Sequence, residues 1–226
     1  MTKEERQQKL EEKFCAMREF DLNFGFGMDE IGGIDEAGRG PLAGPGPLAG
    51  PVVAACAVLG SDFNVIGVDD SKKLSEKKRE ELFHEITSKA LAYGVGIIDS
   101  ETIDEINILQ ATRRAMMTAA ANADDMLKVR TGSETGIKLL LLDAVRLEGV
   151  DIPQKDIIKG DAKSLSIAAS SIIAKVTRDR IMIEYHNLYP HYGFDKNKGY
   201  GTKAHYEGLY AHGMTPIHRK TFLKNL

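Results

Sequence analysis

The sequence of 226 residues has only two cysteines, Cys15 and Cys56, and no apolar run long enough to cross a membrane. The two cysteines are far apart and form no CxxC pattern, so neither a disulfide framework nor a zinc site is expected. The six histidines show no ligand spacing among themselves. Because the amino end is typical of a charged helix and not of a signal peptide, we expect a cytoplasmic protein without a membrane partner.

The chain also lacks an excess of positive charge. Its 30 Lys and Arg residues face 33 Asp and Glu residues, which argues weakly against a general nucleic-acid binder. The distribution is uneven, since residues 152–226 contain 12 basic and 6 acidic side chains and carry +6, whereas residues 1–151 carry −9. This polarity is compatible with a cationic face for a phosphate backbone, or simply with an uneven spread of solvated charges.

The length suits one α/β domain with a short appendage. We expect residues 1–28 to form an amino-terminal helical appendage, and residues 29–226 to form a catalytic domain whose carboxyl-terminal part is helical. The pattern predicts a mixed central β-sheet flanked by helices. The expected strands are 31–35, 52–59, 93–99 and 137–143, and the expected helices are 3–19, 75–91, 101–106, 107–127, 163–188 and 202–212.

Four acids stand at predicted strand ends or before the long helix. They are Asp35, Glu36, Asp143 and Asp161. If the sheet brings them together, they make an all-oxygen site suited to two Mg²⁺ or Mn²⁺ ions about 4 Å apart. Each acid also has an ordinary alternative: Asp161 as a helix N-cap, Asp143 bound to a turn, and Glu36 as a surface partner of Arg39.

Two further features indicate a nucleic-acid backbone as the substrate. Gly38, Arg39 and Gly40 follow the first acids, and glycines leave backbone N–H groups bare enough for close approach by an anion. Tyr200 lies among lysines, a pattern that favours a stacking platform in a cationic groove. Its alternative is a loop aromatic that fills the core.

Several segments, in this order, resemble bacterial ribonuclease HII, the type 2 ribonuclease H. They are Gly33-Ile34-Asp35-Glu36-Ala37-Gly38-Arg39-Gly40, Asp70-Ser71-Lys72-Lys73-Leu74, Leu142-Asp143, Lys159-Gly160-Asp161, Ser170-Ser171-Ile172-Ile173-Ala174-Lys175-Val176-Thr177-Arg178-Asp179 and Lys198-Gly199-Tyr200-Gly201-Thr202. The resemblance covers about residues 30–220. It implies a ribonuclease H-like fold and an endonuclease that cuts the RNA strand of RNA/DNA hybrids. It also implies incision 5′ to single ribonucleotides in duplex DNA, which leaves 3′-hydroxyl and 5′-phosphate ends.

The resemblance also assigns roles by position. Asp35, Glu36, Asp143 and Asp161 match the catalytic metal-binding acids. Gly38, Arg39 and Gly40 match the element that senses the ribose 2′-hydroxyl and neighbouring phosphates, and Tyr200 matches the tyrosine that packs on the sugar at the RNA-to-DNA junction.

Other residues receive weaker expectations. Lys72 and Lys198 are further predicted substrate contacts, although a lysine at the position of Lys72 is as often solvated. Arg178 and Arg180 are expected on the polar side of the long helix, and His218 is interpreted as structural. We also expect a monomer that acts in ribonucleotide excision repair.

A tandem repeat departs from the resemblance. Gly-Pro-Leu-Ala-Gly-Pro occurs at residues 40–45 and again at 46–51, where a single copy is expected. An insertion of six residues preserves strand alternation, and we expect the copy next to Val52 to join the core. The insertion is either a harmless surface bulge or a loop that disturbs the 2′-hydroxyl sensor. The alternative function is therefore a hybrid-binding variant with impaired catalysis, and a weaker rival is a related phosphotransferase that cuts DNA alone.

Overall fold

The centre of the protein is a mixed five-stranded sheet, seen in a computed structural model that describes residues 2–40, 46–143 and 145–224. The strands are β1 (Ile31–Ala37), β2 (Val52–Val58), β3 (Ala92–Ile98), β4 (Leu139–Asp143) and β5 (Gln154–Ile157). Their spatial order is β3-β2-β1-β4-β5. The β1–β2 and β2–β3 pairs are antiparallel, whereas the β1–β4 and β4–β5 pairs are parallel. The predicted mixed sheet is confirmed.

Helices cover both faces of the sheet. They are α1 (Lys3–Leu22), α2 (Glu76–Lys89), α3 (Ser100–Ile106), α4 (Ile108–Thr131), α5 (Leu165–Leu188), α6 (Phe194–Asn197) and α7 (Lys203–His212). One buried cluster joins α1, α2 and α5 to one face of β2, and another joins α4 to the opposite face. No helix among the described residues is both long and apolar enough to span a membrane.

Helix α5 lies directly on β1, and this contact positions the candidate site. Gly33 permits the approach, because a Cβ there would collide with the backbone of Ser166 and Ile167. The Ser170 hydroxyl then donates a hydrogen bond of 2.8 Å to the Gly33 carbonyl. The small buried residues Ala168 and Ala169 allow α5 to pack closely on the sheet along the rest of this interface.

Helix α1 packs on the domain through Phe14 and Met17, which are buried in the cluster that contains α5. At the end of the helix, the buried Asp21 carboxylate accepts a hydrogen bond of 2.9 Å from the Ser166 amide. Asp21 thus satisfies an N–H group in the first turn of α5, which has no partner within its own helix.

The second copy of the repeated hexapeptide, residues 46–51, lies in the interior immediately before β2. The Leu48 amide donates to the Gly199 carbonyl and the Gly50 amide to the Ile217 carbonyl, each at 2.8 Å. Leu48 packs in a buried cluster with Phe194 and other residues of the carboxyl-terminal part. Residues 41–45 of the first copy lie outside the described residues.

Two elements differ from the prediction. Strand β5 was not expected, because Gln154-Lys155-Asp156-Ile157 has no apolar run; it is an edge strand whose middle residues are exposed. The segment 189–201, expected as a loop, contains a 3₁₀ turn and the short helix α6.

Candidate metal centre and nucleic-acid groove

Three carboxylates converge at one edge of the sheet. Asp35 lies on β1 and Asp143 ends β4, and because these neighbouring strands are parallel, their carboxyl ends meet. Asp161 comes from a 3₁₀ turn at residues 160–162, which the Asp143 carboxylate holds by accepting a 2.8 Å hydrogen bond from the Gly160 amide. Ligand oxygens of the three acids lie within 4.8 Å of one another. Ser164 is the N-cap of α5, so the interpretation of Asp161 as that cap is wrong.

Glu36, the fourth predicted acid, is buried beside this cluster but bound differently. Its Oε1 lies 2.9 Å from Arg39 Nε. The angles do not make a hydrogen bond, and neither Glu36 Oε2 nor Arg39 Nε has a hydrogen-bond partner among the described residues. The alternative of Glu36 as a partner of Arg39 is therefore realised, although in a buried position and not at the surface.

The protein environment disfavours the ionised form of these acids. Burial raises the pKa of Asp35 well above its usual value, and the charges of Glu36 and Asp143 raise it further. Burial also raises the pKa of Glu36 to about 7, although Arg39 opposes the shift. The pKa of Asp161 is raised by burial and by Asp143. A cation at this position would relieve the repulsion among the carboxylates.

Lys72 lies next to the cluster, with its Nζ 3.5 Å from Asp161 Oδ2. Burial alone would lower the pKa of Lys72, but Asp35 and Asp161 raise it above the usual value. The side chain is 77% exposed, so the ammonium group remains accessible to a phosphate.

A groove of about 490 Å³ opens beside the acids. It is lined by Asp35, Glu36, Ala37, Gly38, Arg39, Gly40, Ser71, Lys72, Asp143, Lys175, Arg178 and Tyr200. The structure thus brings most of the predicted substrate contacts to one place. Sequence reasoning missed the roles of Ser71, Lys175 and Arg178 as lining residues, although each lies in a motif that carries the resemblance.

Lys198 is the predicted contact that the structure does not bring to the groove. Its side chain is largely buried, and its ammonium group donates to the Asp195 carbonyl and lies 3.8 Å from Glu76. The left-handed backbone of Lys198, with φ of 49°, turns the chain just before Tyr200. The Lys198 carbonyl accepts a 2.9 Å hydrogen bond from Arg178, so the contribution of this residue lies in its backbone.

The prediction that Arg178 lies on the polar side of α5 is wrong. Arg178 is 1% exposed, and its guanidinium group donates to the carbonyls of Pro51, Lys198 and Ala49. Gly38, at φ of 93°, lies directly on it, and a Cβ there would collide with the guanidinium. Arg180 does lie outside, where it pairs with Glu80. Arg178 therefore forms a floor of the groove beneath the Gly38–Gly40 segment.

Tyr200 contributes a second wall of the groove. Its ring is 40% exposed, which excludes the alternative of a core-filling aromatic. Its amide donates 2.9 Å to the Asn197 carbonyl, and its own carbonyl accepts 2.8 Å from the Thr202 amide. The ring thus stands at the groove on a fixed backbone, where it can stack on a sugar or base.

The comparisons with known proteins agree with this geometry. The family model described as Ribonuclease HII matches residues 32–225. Ribonuclease HII of Clostridioides difficile (strain 630) is 54% identical over 77% of this chain and 65% of its own length. Ribonuclease HII of Caldanaerobacter subterraneus subsp. tengcongensis is 50% identical over 91% of this chain and 76% of its own length.

A solved structure supports the fold. The ribonuclease H2 of Pyrococcus horikoshii OT3 superposes with a TM-score of 0.60 at 27% identity, and the match covers 84% of this chain and 92% of that one. The expected ribonuclease H-like α/β fold is confirmed. The family match, which includes the acids and the whole groove, shows that the chain belongs to the ribonuclease HII family and is a ribonuclease H.

Proposed function

We propose that the enzyme hydrolyses the RNA strand of RNA/DNA hybrids and incises duplex DNA on the 5′ side of a single embedded ribonucleotide, leaving 3′-hydroxyl and 5′-phosphate ends. One observation carries the proposal: the carboxylates of Asp35, Asp143 and Asp161 lie within 4.8 Å of one another, and Asp35 and Asp143 line the groove that also holds Arg39 and Tyr200. A cluster of hard oxygen ligands beside a cationic and aromatic wall suits a nucleic-acid phosphodiester.

We assign the divalent cation to Asp35, Glu36, Asp143 and Asp161. The donor set fits, because carboxylate oxygens are the preferred ligands of Mg²⁺ and Mn²⁺ and no histidine or cysteine competes in the cluster. When bound, a pair of such ions supplies activation of a water and stabilisation of the leaving oxygen. The chain itself fixes the carboxylates: Asp143 through the Gly160 amide, and Asp35 by accepting 2.8 Å from the Glu36 amide.

The walls of the groove account for substrate choice. A 2′-hydroxyl both donates and accepts hydrogen bonds, so a rigid backbone at close range can distinguish ribose from deoxyribose. Gly38 and Gly40 both have positive φ and both line the groove, so the backbone of residues 38–40 forms part of its surface. Arg39 and Lys72 are positioned for phosphates, and the Tyr200 ring for the sugar at the junction.

The test is a nicking assay. A duplex DNA with a single ribonucleotide and a label on the 5′ end of that strand is incubated with Mg²⁺ or Mn²⁺. We expect one product, cut 5′ to the ribonucleotide and ending in a 3′-hydroxyl, and no cut in the all-DNA duplex. Binding without a nick would instead favour the hybrid-binding variant with impaired catalysis, and a cut in the all-DNA duplex would favour the phosphotransferase.

We further propose that the chain works as a monomer in ribonucleotide excision repair. All the acids and both walls of the groove come from a single chain. Analytical ultracentrifugation of the nicking-competent protein tests the monomer, and a stable dimer would contradict it.

A further inference from the structure

Two consecutive buried residues near the carboxyl end, His218 and Arg219, connect to different walls of the groove. They are 1% and 0% exposed, respectively, and neither lines the groove itself. The sequence offered only a structural interpretation for His218 and none for Arg219.

Arg219 holds the wall that contains the Gly38–Gly40 segment. Its Nη2 donates 2.7 Å to the Gly38 carbonyl and 3.2 Å to the Pro51 carbonyl, and its Nε donates 3.0 Å to the Gly50 carbonyl. Three carbonyls that belong to two segments are thus fixed by one planar group, a geometry that lysine cannot reproduce.

The bond to Gly38 also sets the direction of an N–H group. In a trans peptide, the carbonyl of Gly38 and the amide of Arg39 point in opposite directions. Because the carbonyl points at the buried Arg219, the Arg39 amide points away from it, on the side where residues 38–40 line the groove. Among the described residues, no acceptor is bound to the amides of Arg39 or Gly40.

His218 acts on the other wall through His205. The Thr215 amide donates 2.9 Å to His218 Nδ1, so this nitrogen is an acceptor and the proton lies on Nε2. His218 Nε2 is 3.0 Å from His205 Nε2, which must then accept. The remaining proton of His205 lies on Nδ1, which donates 3.0 Å to the Tyr200 carbonyl. One pair of tautomers satisfies these three contacts, and the last of them is to Tyr200, which forms the aromatic wall.

The charges of these side chains agree with this arrangement. Burial, together with His205, lowers the pKa of His218 to about 4, and burial also lowers the pKa of His205, so both imidazoles are neutral near pH 7. Burial and the nearby Arg178 lower the pKa of Arg219 to about 9, and the guanidinium remains a cation. All hydrogen bonds of Arg219 among the described residues go to backbone carbonyls, so its position does not depend on an acidic partner.

We propose that His218 and Arg219 are positioning residues that hold the two walls of the groove at the spacing needed to read a ribonucleotide: Arg219 fixes the Gly38–Arg39 peptide, and His218 fixes Tyr200 through His205. This inference rests on the proposed function, because it explains how that groove is held. It gives the carboxyl-terminal segment a role in substrate choice.

The first test measures preference for a ribonucleotide. In a background with Asp35→Asn, the affinity for a duplex with one ribonucleotide is compared with that for the same all-DNA duplex. We expect Arg219→Gln and His205→Leu each to reduce the ratio of affinities about tenfold, the effect of one misdirected hydrogen bond to a charged or buried group. In the active enzyme, the same variants should raise KM more than they lower kcat.

Matched variants separate positioning from general stability. His218→Gln places an amide donor where Nε2 stood, so we expect it to retain the preference that His205→Leu loses. Leu82→Ala removes a fully buried side chain that does not line the groove, and it should lower the melting temperature without changing the preference. If Arg219→Gln does not fold, Arg219→Lys keeps the charge but cannot bind three carbonyls, and it serves the same comparison.

A double-mutant test decides whether each residue acts through the wall that the proposal assigns to it. In a Tyr200→Ala background, His205→Leu should have no further effect on the preference, whereas Arg219→Gln should retain its effect because it acts through Gly38. Equal effects in both backgrounds, or loss of stability with an unchanged preference, would overturn the proposal.

The hydrogen-bonded relay from His218 through His205 to Tyr200 can also be observed without an activity assay. Imidazole nitrogen NMR should show His205 protonated at Nδ1 and His218 at Nε2, and the opposite tautomers would overturn it. If the unaltered protein shows no preference and no nick while these tautomers are seen, the proposed function fails and the relay stands.

Discussion

Arg39 Nε lies 2.9 Å from Glu36 Oε1, and both side chains are largely buried. The proposed function gives them different partners, a cation for Glu36 and a phosphate for Arg39. Glu36 and Arg39 compensate each other's charge in this ion pair. A cation that binds Glu36 therefore weakens the interaction of Glu36 with Arg39. We therefore expect binding of the cation and binding of the phosphate to favour each other.

This relationship predicts opposite effects of one substitution. Arg39→Gln removes the competing cation, so affinity for Mn²⁺ should rise about fivefold while affinity for the ribonucleotide duplex falls about tenfold. Isothermal titration with Mn²⁺ and a binding assay with the duplex measure the two quantities. Arg114→Gln, an exposed change on α4, is the control. A lower affinity for both ligands would contradict the competition.

Asp35→Asn should separate catalysis from stability. The variant lacks a carboxylate of the cluster, so nicking should fall at least a thousandfold, the usual scale for loss of an essential catalytic group. Because burial and the charges of Glu36 and Asp143 disfavour ionised Asp35, a neutral amide should leave the melting temperature at pH 8 unchanged or higher.

Asp156→Asn is the matched control for this change, since Asp156 is an exposed acid on β5 outside the cluster. It should retain nicking and stability. Persistent nicking by Asp35→Asn would refute the metal assignment, whereas a large fall in its melting temperature would refute the account of charge repulsion.

The sequence was informative where local pattern decides structure. Apolar runs that end abruptly in Asp35 and Asp143 predicted strand ends, and parallel neighbours do bring these ends together. The edge strand β5 could not be predicted, because its exposed residues bury little apolar surface and its hydrogen bonds to β4 alone define it.

Site residues were missed where long-range contacts decide their roles. Arg178 has the sequence context of a polar helix position, but its face of α5 meets carbonyls from residues more than a hundred positions earlier. Lys198 has the context of a phosphate contact, but Glu76 and Asp195 bind its ammonium group. The contact of His205 with His218 also could not be predicted from the spacing of the two residues in the sequence.

Asp21 predicts a pH dependence of stability that is independent of the site. Burial raises its pKa from 3.8 to about 6. A raised pKa means that the folded state holds the proton more tightly, so this contribution to stability is present below about pH 4 and is lost as the pH rises through 6. The total loss is about 3 kcal/mol.

Urea unfolding of the unaltered protein and of Asp21→Asn, at pH 4 and pH 7, measures the contribution of Asp21 to the pH dependence of the free energy of unfolding. The acids of the site contribute to both proteins, so the difference between them reports Asp21. We expect the variant to lose about 2 kcal/mol less between the two pH values, because at pH 4 part of the total effect is already lost. An equal pH dependence in both proteins would show that Asp21 titrates normally.

The last prediction concerns the repeated hexapeptide. Gly40 and Gly46 hold the same place in the two copies, and they lie beside each other: a Cβ on Gly40 would be 2.6 Å from the Gly46 Cα. Since consecutive Cα atoms are about 3.8 Å apart, Gly40 has to shift into the adjacent place of Gly46 to be bonded to Pro47. Deletion of residues 41–46 joins Gly40 to Pro47 and leaves residues 47–51 in their buried contacts.

We therefore expect this deletion to preserve the fold, to change the free energy of unfolding by less than about 1 kcal/mol, and to keep nicking within about threefold. Leu48→Ala should instead cost about 2–4 kcal/mol, because Leu48 is buried against the carboxyl-terminal cluster. Urea unfolding and the nicking assay compare the two variants. A large gain of activity on deletion would show that the additional copy impairs the enzyme, and unfolding of the deletion variant would show that the domain depends on that copy for stability.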